Sequence, residues 1–178
     1  MMSPFAMLGL EPRLEISEEE LRAAFREAGK RDHPDAGGSG EDFSKVQEAF
    51  AQLSRPSKRL RAWLEAKGLT GDERGAISPG LVDLFGKVGT VLQQADAVTK
   101  RRESALSALA KAMVEPAAQQ AREALEAALD AVAAATAAEE AQFPAIESGT
   151  GDPWRTARDL AFLEKWQAEL KSRFAGLW

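Results

Sequence analysis

Apolar residues recur along most of this chain at the spacing of a helix face. Leu21, Ala24, Phe25 and Ala28 stand at i, i+3, i+4 and i+7, so a helix through them buries one stripe and turns Arg22, Arg26 and Lys30 outward. Ser17 with Glu20 three residues on forms a capping box for its start, and Glu18, Glu19 and Glu20 lie where the helix dipole favours negative charge. The helix is expected to end near Asp32, ahead of Pro34. A second stripe, Phe43, Val46, Phe50 and Leu53, follows the flexible Gly37-Gly38-Ser39-Gly40 loop, so the two helices should pack as an antiparallel hairpin. A short helix precedes them, with Ser3 as cap, Pro4 at its first position and Gly9 as stop. After the break at Arg55-Pro56, a fourth helix carries Leu60, Trp63 and Leu64 and ends at Gly68.

Residues 69 to 78 are polar and turn-forming, which places a domain boundary there and divides the chain into 1–75 and 76–178. Beyond it, Leu81, Leu84, Phe85, Val88 and Leu92 open a helical pattern that extends from Pro79 to about Met113. Glu115-Pro116 predicts a break, kink or turn. An alanine-rich segment with Leu125, Leu129 and Val132 continues to about Phe143, residues 144 to 151 read as a loop, and Asp152-Pro153 starts a last helix carrying Trp154, Leu160, Phe162, Leu163, Trp166 and Leu170. Three such helices make an up-down-up bundle. No run alternates as a strand does, and β-branched residues are sparse, so the expected fold is all-α.

Composition narrows the function. The 178 residues include no cysteine and one histidine, which excludes a disulfide framework, a thiolate metal site and a multi-histidine centre. No metal and no cofactor are therefore expected. The 23 basic and 28 acidic residues give a net charge of -5, the wrong sign for general nucleic-acid binding. No apolar stretch reaches the ~20 residues that span a bilayer, and the N-terminus lacks the basic-then-apolar order of a secretory signal. The expectation is a cytoplasmic protein without a membrane partner.

The single histidine opens His33-Pro34-Asp35, in the loop of the hairpin and directly after the helix with the basic outer face. With Pro4-Phe5-Ala6-Met7-Leu8-Gly9-Leu10 ahead of it and the Phe43, Val46, Phe50, Leu53 helix behind it, residues 4 to 67 resemble the J-domain of DnaJ-type co-chaperones in order and spacing. The resemblance implies a four-helix module that docks on an ATP-driven chaperone of the DnaK type and stimulates its ATPase. His33, Pro34 and Asp35 would be the signalling tripeptide, and Arg22, Arg26 and Lys30 would steer toward an acidic partner surface. Taken alone, those cations read as a solvated face with Glu18–Arg22 and Glu27–Arg31 pairs. One departure is Asp32, where the family commonly has an aromatic residue.

The layout of a J-domain, a short connection and a three-helix bundle is similar to the HscB family of iron–sulfur cluster co-chaperones. Leu81-Val82-Asp83-Leu84-Phe85 and Ala157-Arg158-Asp159-Leu160-Ala161-Phe162-Leu163-Glu164-Lys165-Trp166 carry the likeness into the bundle. It implies a partner chaperone of the HscA kind and a client-binding face of Leu81, Val82, Phe85 and Phe162 for the scaffold on which clusters are assembled. Any cluster would belong to that client. Gly86 and Gly89 stand where the family has acidic residues; they read either as points of close helix approach or as a sign that the helix starts later. The residues alone also fit a J-domain with another client or an oligomerising bundle, and a helical scaffold whose J-like domain is inactive. A hydrolase with His33 as base finds no nucleophile in a buried pocket, so the expectation is no enzyme.

Overall fold

The computed structural model describes residues 2–33, 35 and 37–178. The fold is all-α, as the periodicity predicts, with no strand among the described residues. Its helices are α1 (Pro4–Met7), α2 (Glu18–Asp32), α3 (Gly40–Leu53), α4 (Pro56–Ala66), α5 (Val82–Ser104), α6 (Ala108–Glu140), α7 (Phe143–Glu147) and α8 (Pro153–Gly176). Among the described residues no helix is long and apolar enough to cross a membrane.

Local chemistry accounts for most boundaries. The Ser3 hydroxyl accepts from the Ala6 amide at 3.2 Å, and the Ser17 hydroxyl from the Glu20 amide at 3.1 Å, which satisfies amides that helix geometry leaves without partners. The Asp152 carboxylate caps α8 through the Arg155 amide at 3.1 Å. Two boundaries differ from expectation. The break between α5 and α6 falls at Ala105–Ser107, where the Ser107 hydroxyl caps α6 by accepting from the Ala110 amide at 3.0 Å, and Pro116 lies inside α6. An interior proline costs about 3 kcal/mol of helix stability, but Val114 and Ala118 on either side of it are both buried, and their shared stripe holds the helix continuous. The stretch read as a loop after Phe143 contains the short α7, with Phe143 and Ile146 buried.

The chain forms two compact units: Met1–Gly75 with Glu140–Leu160, and Ala76–Glu139 with Ala161–Trp178. In the first, α2 and α3 pack as a hairpin with α1 and α4 against α3. Leu21, Val46, Leu53, Leu60 and Trp63 fill the core, together with Phe143, Ile146, Ala157 and Leu160 from far along the chain. The stretch 140–160, assigned by sequence to the bundle, thus groups with the N-terminal unit. Polar contacts tie it down. The buried Arg59 donates to the Leu53 carbonyl at 3.0 Å and to Glu140 at 3.3 Å, and its guanidinium lies 5.7 Å from the Phe143 ring centre. The Leu14 amide donates to Glu147 at 2.5 Å. At Gly71 an added Cβ would lie 2.2 Å from the Trp154 ring, so the segment after α4 rests on the start of α8 where only glycine fits.

The second unit is the predicted bundle. Val88 and Ala95 of α5, Ala121, Leu125, Ala128 and Val132 of α6, and Leu163, Trp166 and Leu170 of α8 make one core. Alanines on α6 permit close packing. The buried Arg122 ties the chain end to α6: it donates to the Leu177 carbonyl at 2.8 Å and to Glu115 at 2.6 Å, and it stands 4.9 Å from the Trp178 ring centre.

Candidate functional site

In the first unit the site is built on the C-terminal end of α2. Helix dihedrals stop at His33, whose backbone is extended (φ -68°, ψ 140°). The loop is less free than its composition suggests. The Gly38 amide donates to the His33 carbonyl at 3.1 Å, and a Cβ on Gly38 would lie 2.2 Å from the Asp32 carbonyl oxygen. The loop therefore closes directly on the helix end, at a position that admits only glycine. Ser39 then starts α3, its hydroxyl accepting from the Asp42 amide at 3.0 Å and donating to the Asp42 carboxylate at 2.7 Å.

His33 is exposed yet oriented. Its Nδ1 accepts from the Asp35 amide at 3.2 Å, which places the proton of the neutral ring on Nε2. The Asp35 carboxylate stands 3.5 Å from Nδ1, and the ring meets the edge of Phe43 at 5.7 Å between centres. The predicted side chains His33 and Asp35 are thus brought together at the surface; Pro34, the third member, lies outside the described residues.

Arg22, Arg26 and Lys30 are exposed, four residues apart along α2, and span roughly 12 Å of its axis at 1.5 Å per residue. Arg22 pairs with Glu18 as expected. Glu27 pairs with Lys30 at 2.9 Å and not with Arg31, and that hydrogen bond lowers the Glu27 pKa. Arg31 is engaged elsewhere: Nε and Nη2 grip Asp32 at 3.0 and 2.7 Å, and Nη2 also donates to the Met7 carbonyl at 3.1 Å. The Arg31 hydrogen bond holds the Asp32 carboxyl below its ordinary range. At Asp32 the carboxylate thus pairs with Arg31, whose hydrogen bond to the Met7 carbonyl joins the ends of α1 and α2.

In the second unit, Val82 and Phe85 at the start of α5 are 52% and 56% exposed, while Leu81 and Phe162 are half-buried against the core. Phe85 and Phe162 both meet Trp166, with ring centres 5.7 and 6.2 Å away. All four predicted residues lie in this unit, and its fold gathers the two phenylalanines around one indole. Gly86 and Gly89 serve neither role expected of them: α5 starts before them, and a Cβ on either would meet nothing within 4 Å. Gly86→Ala and Gly89→Ala should each stabilise the bundle by about 0.5–1 kcal/mol, because the added methyl meets no neighbour and a helical glycine carries a conformational cost. Urea unfolding midpoints check this; unchanged midpoints would mean that α5 is not helical at that point in solution.

Comparison with known proteins bears on both units. Residues 3–61 match the family model of the DnaJ domain. This stretch is a DnaJ domain. Over 43 residues the chain is 42% identical to a DnaJ protein homolog from Cucumis sativus and to chaperone protein dnaJ A6 from Oryza sativa subsp. japonica. Those matches span 24% of this chain and 10% of each of those proteins. Chaperone HscB from Vibrio cholerae has a similar fold, with a TM-score of 0.58 and 22% identity over 99% of this chain and 100% of that one. The likeness in fold therefore extends through the bundle, beyond the DnaJ domain.

Three features lay outside the reach of sequence reasoning: Arg59 buried as a tie, Gly38 as a steric requirement, and the Arg31–Asp32 latch. A signal for Gly38 was present in the paired glycines, but their composition alone reads as flexibility.

Proposed function

We propose that this protein is a co-chaperone that stimulates the ATPase of a DnaK-type chaperone, of the HscA kind, and presents a client to it. The observation that carries the reading is the DnaJ domain with His33 and Asp35 held together on an exposed loop beside the cations of α2. The histidine is oriented before docking, so little side-chain freedom is lost on binding. Residues 1–75 are assigned the docking role and 76–178 the client role, with 140–160 acting as a buttress for the first. The protein supplies no reacting group of its own; it changes the rate of a partner's hydrolysis.

The client proposed is a scaffold protein for iron–sulfur cluster assembly. It is supported by the resemblance of the two bundle segments to the HscB family, and by the exposed Val82 and Phe85 beside Phe162. Gly86 and Gly89, standing where that family has acidic residues, favour a second reading in which the same face takes a different apolar client.

Single-turnover ATP hydrolysis by a DnaK-type chaperone, with and without the full chain, tests the first part. Stimulation is expected; none across a panel of such chaperones would leave a helical scaffold with an inactive domain. Reversing charge at Arg22 and Arg26 should weaken docking and flatten its dependence on salt, since the attraction is screened over about 8–10 Å at physiological ionic strength. Among the described residues the ion pair lost is the exposed Arg22–Glu18 pair, with the weaker attraction of Arg26 for Glu27, so folding should hardly change. An unchanged salt slope would return these side chains to a solvated face.

For the client face, Val82→Ala with Phe85→Ala should reduce capture of a cluster scaffold at least about tenfold, the loss expected of exposed interface anchors, with a small shift in unfolding midpoint. Full capture by the double variant would remove the client from this face. Capture of an unrelated client through the same residues would support the second reading.

A further inference from the structure

At the far end of α5 lies a second apolar surface that the client face does not include. Leu106, Leu109 and Met113 are 91%, 72% and 71% exposed, so they add little to the core. Leu109 and Met113 stand four residues apart on α6, along one strip of the helix. The next strip, about 100° round the helix, holds Ala110 and Val114. With Ala97 and Ala105 these small residues floor an open groove of about 520 Å³ between the end of α5 and the start of α6, bordered by Lys100 and Arg101. Lys111 is exposed one residue from Ala110. Lys100, Arg101 and Lys111 form no ion pair among the described residues. Of the carboxylates nearby, Glu115 is already held by Arg122 at 2.6 Å.

We infer that this groove is a docking site for an acidic amphipathic segment of a partner protein, whose apolar residues lie on Ala105, Leu109, Ala110 and Met113 and whose carboxylates meet Lys100, Arg101 and Lys111. Two physical arguments select that occupant. Contiguous exposed apolar side chains rimmed by charge mark an interaction site, and a shallow floor of small side chains accepts projecting side chains as a helix-in-groove contact does. Charge selects sign: the chain carries -5 overall, whereas this end presents three unpaired cations. A lipid surface is disfavoured by the same count, because stable electrostatic adsorption draws on clusters of roughly four to eight basic residues, and exposed Glu103 offsets one of the three. The groove lies roughly 24 Å along α5 from Phe85, at 1.5 Å per residue, so the inference stands apart from the proposed client face.

The test uses the full chain and a fluorescein-labelled helical peptide with leucines at i, i+3 and i+7 and glutamates elsewhere. A control peptide carries lysines in place of the glutamates. Anisotropy should show saturable binding of the acidic peptide, weaker in high salt, and none of the basic one. Leu109→Ala with Met113→Ala, and separately Lys100→Glu with Arg101→Glu, should each weaken binding at least about tenfold, a loss of about 1.4 kcal/mol. Circular dichroism should be unchanged, since these side chains are exposed. Val82→Ala with Phe85→Ala should bind normally. No binding, equal binding of both peptides, or loss in the Val82/Phe85 variant would overturn the assignment. So would sedimentation of the chain with phosphatidylserine vesicles, or a concentration-dependent dimer relieved by the Leu109/Met113 changes, if the peptide is not bound.

Discussion

His33→Gln should abolish stimulation of the DnaK-type ATPase while moving unfolding stability by no more than about 0.5 kcal/mol, the usual range for a surface substitution. The separation follows from what the ring touches. Its side chain is about half exposed, and among the described residues it meets the Asp35 amide through one long hydrogen bond, the Asp35 carboxylate at 3.5 Å and the edge of Phe43. Glutamine can still accept from that amide, so the loop keeps its shape. What disappears is the Nε2 side of the imidazole, which makes no hydrogen bond among the described residues. Single-turnover hydrolysis and thermal melts, run on the same preparation, check both halves. Normal stimulation by the variant removes His33 from the docking contact. Unfolding of the variant would instead make the ring a structural element, contrary to its exposure.

Phe143→Ala should be among the most damaging single changes in the first unit, although position 143 lies far along the chain from α1–α4. The side chain is fully buried, shares a core with Leu14, Leu53 and Leu60, and lies under the Arg59 guanidinium. Truncating a buried phenylalanine costs about 3–5 kcal/mol, a large part of the 5–15 kcal/mol that holds a typical domain together. The loss also strips Arg59 of an apolar neighbour while leaving its charge buried. Amide exchange across α2, α3 and α4 should accelerate together, and the isolated fragment 1–75 should melt with poor cooperativity, because it lacks Phe143, Ile146, Ala157 and Leu160 at once. Unchanged protection in α2–α4 of the variant would mean that residues 140–160 do not support the DnaJ domain.

Most helices and the caps at Ser3, Ser17 and Asp152 were legible in the chain because each rests on contacts within about four residues, and the short connection between two amphipathic helices made the hairpin legible as well. Ser3 reaches Ala6, Ser17 reaches Glu20, and a stripe such as Leu21, Ala24, Phe25, Ala28 names a buried face on its own. Periodicity marks a face without naming its partner, and there the reading stopped. Phe143 and Leu160 carry the same apolar signal as Leu125 and Leu163, yet the first pair completes the N-terminal unit and the second the bundle. Pro116 signals a break by its missing amide, but burial of Val114 and Ala118 outweighed that local cost. Leu109 and Leu125 both sit on the α6 pattern, one in solvent and one in the core. Which apolar side chain is covered depends on what the rest of the chain brings to it, a property of long-range packing that only the tertiary structure decides.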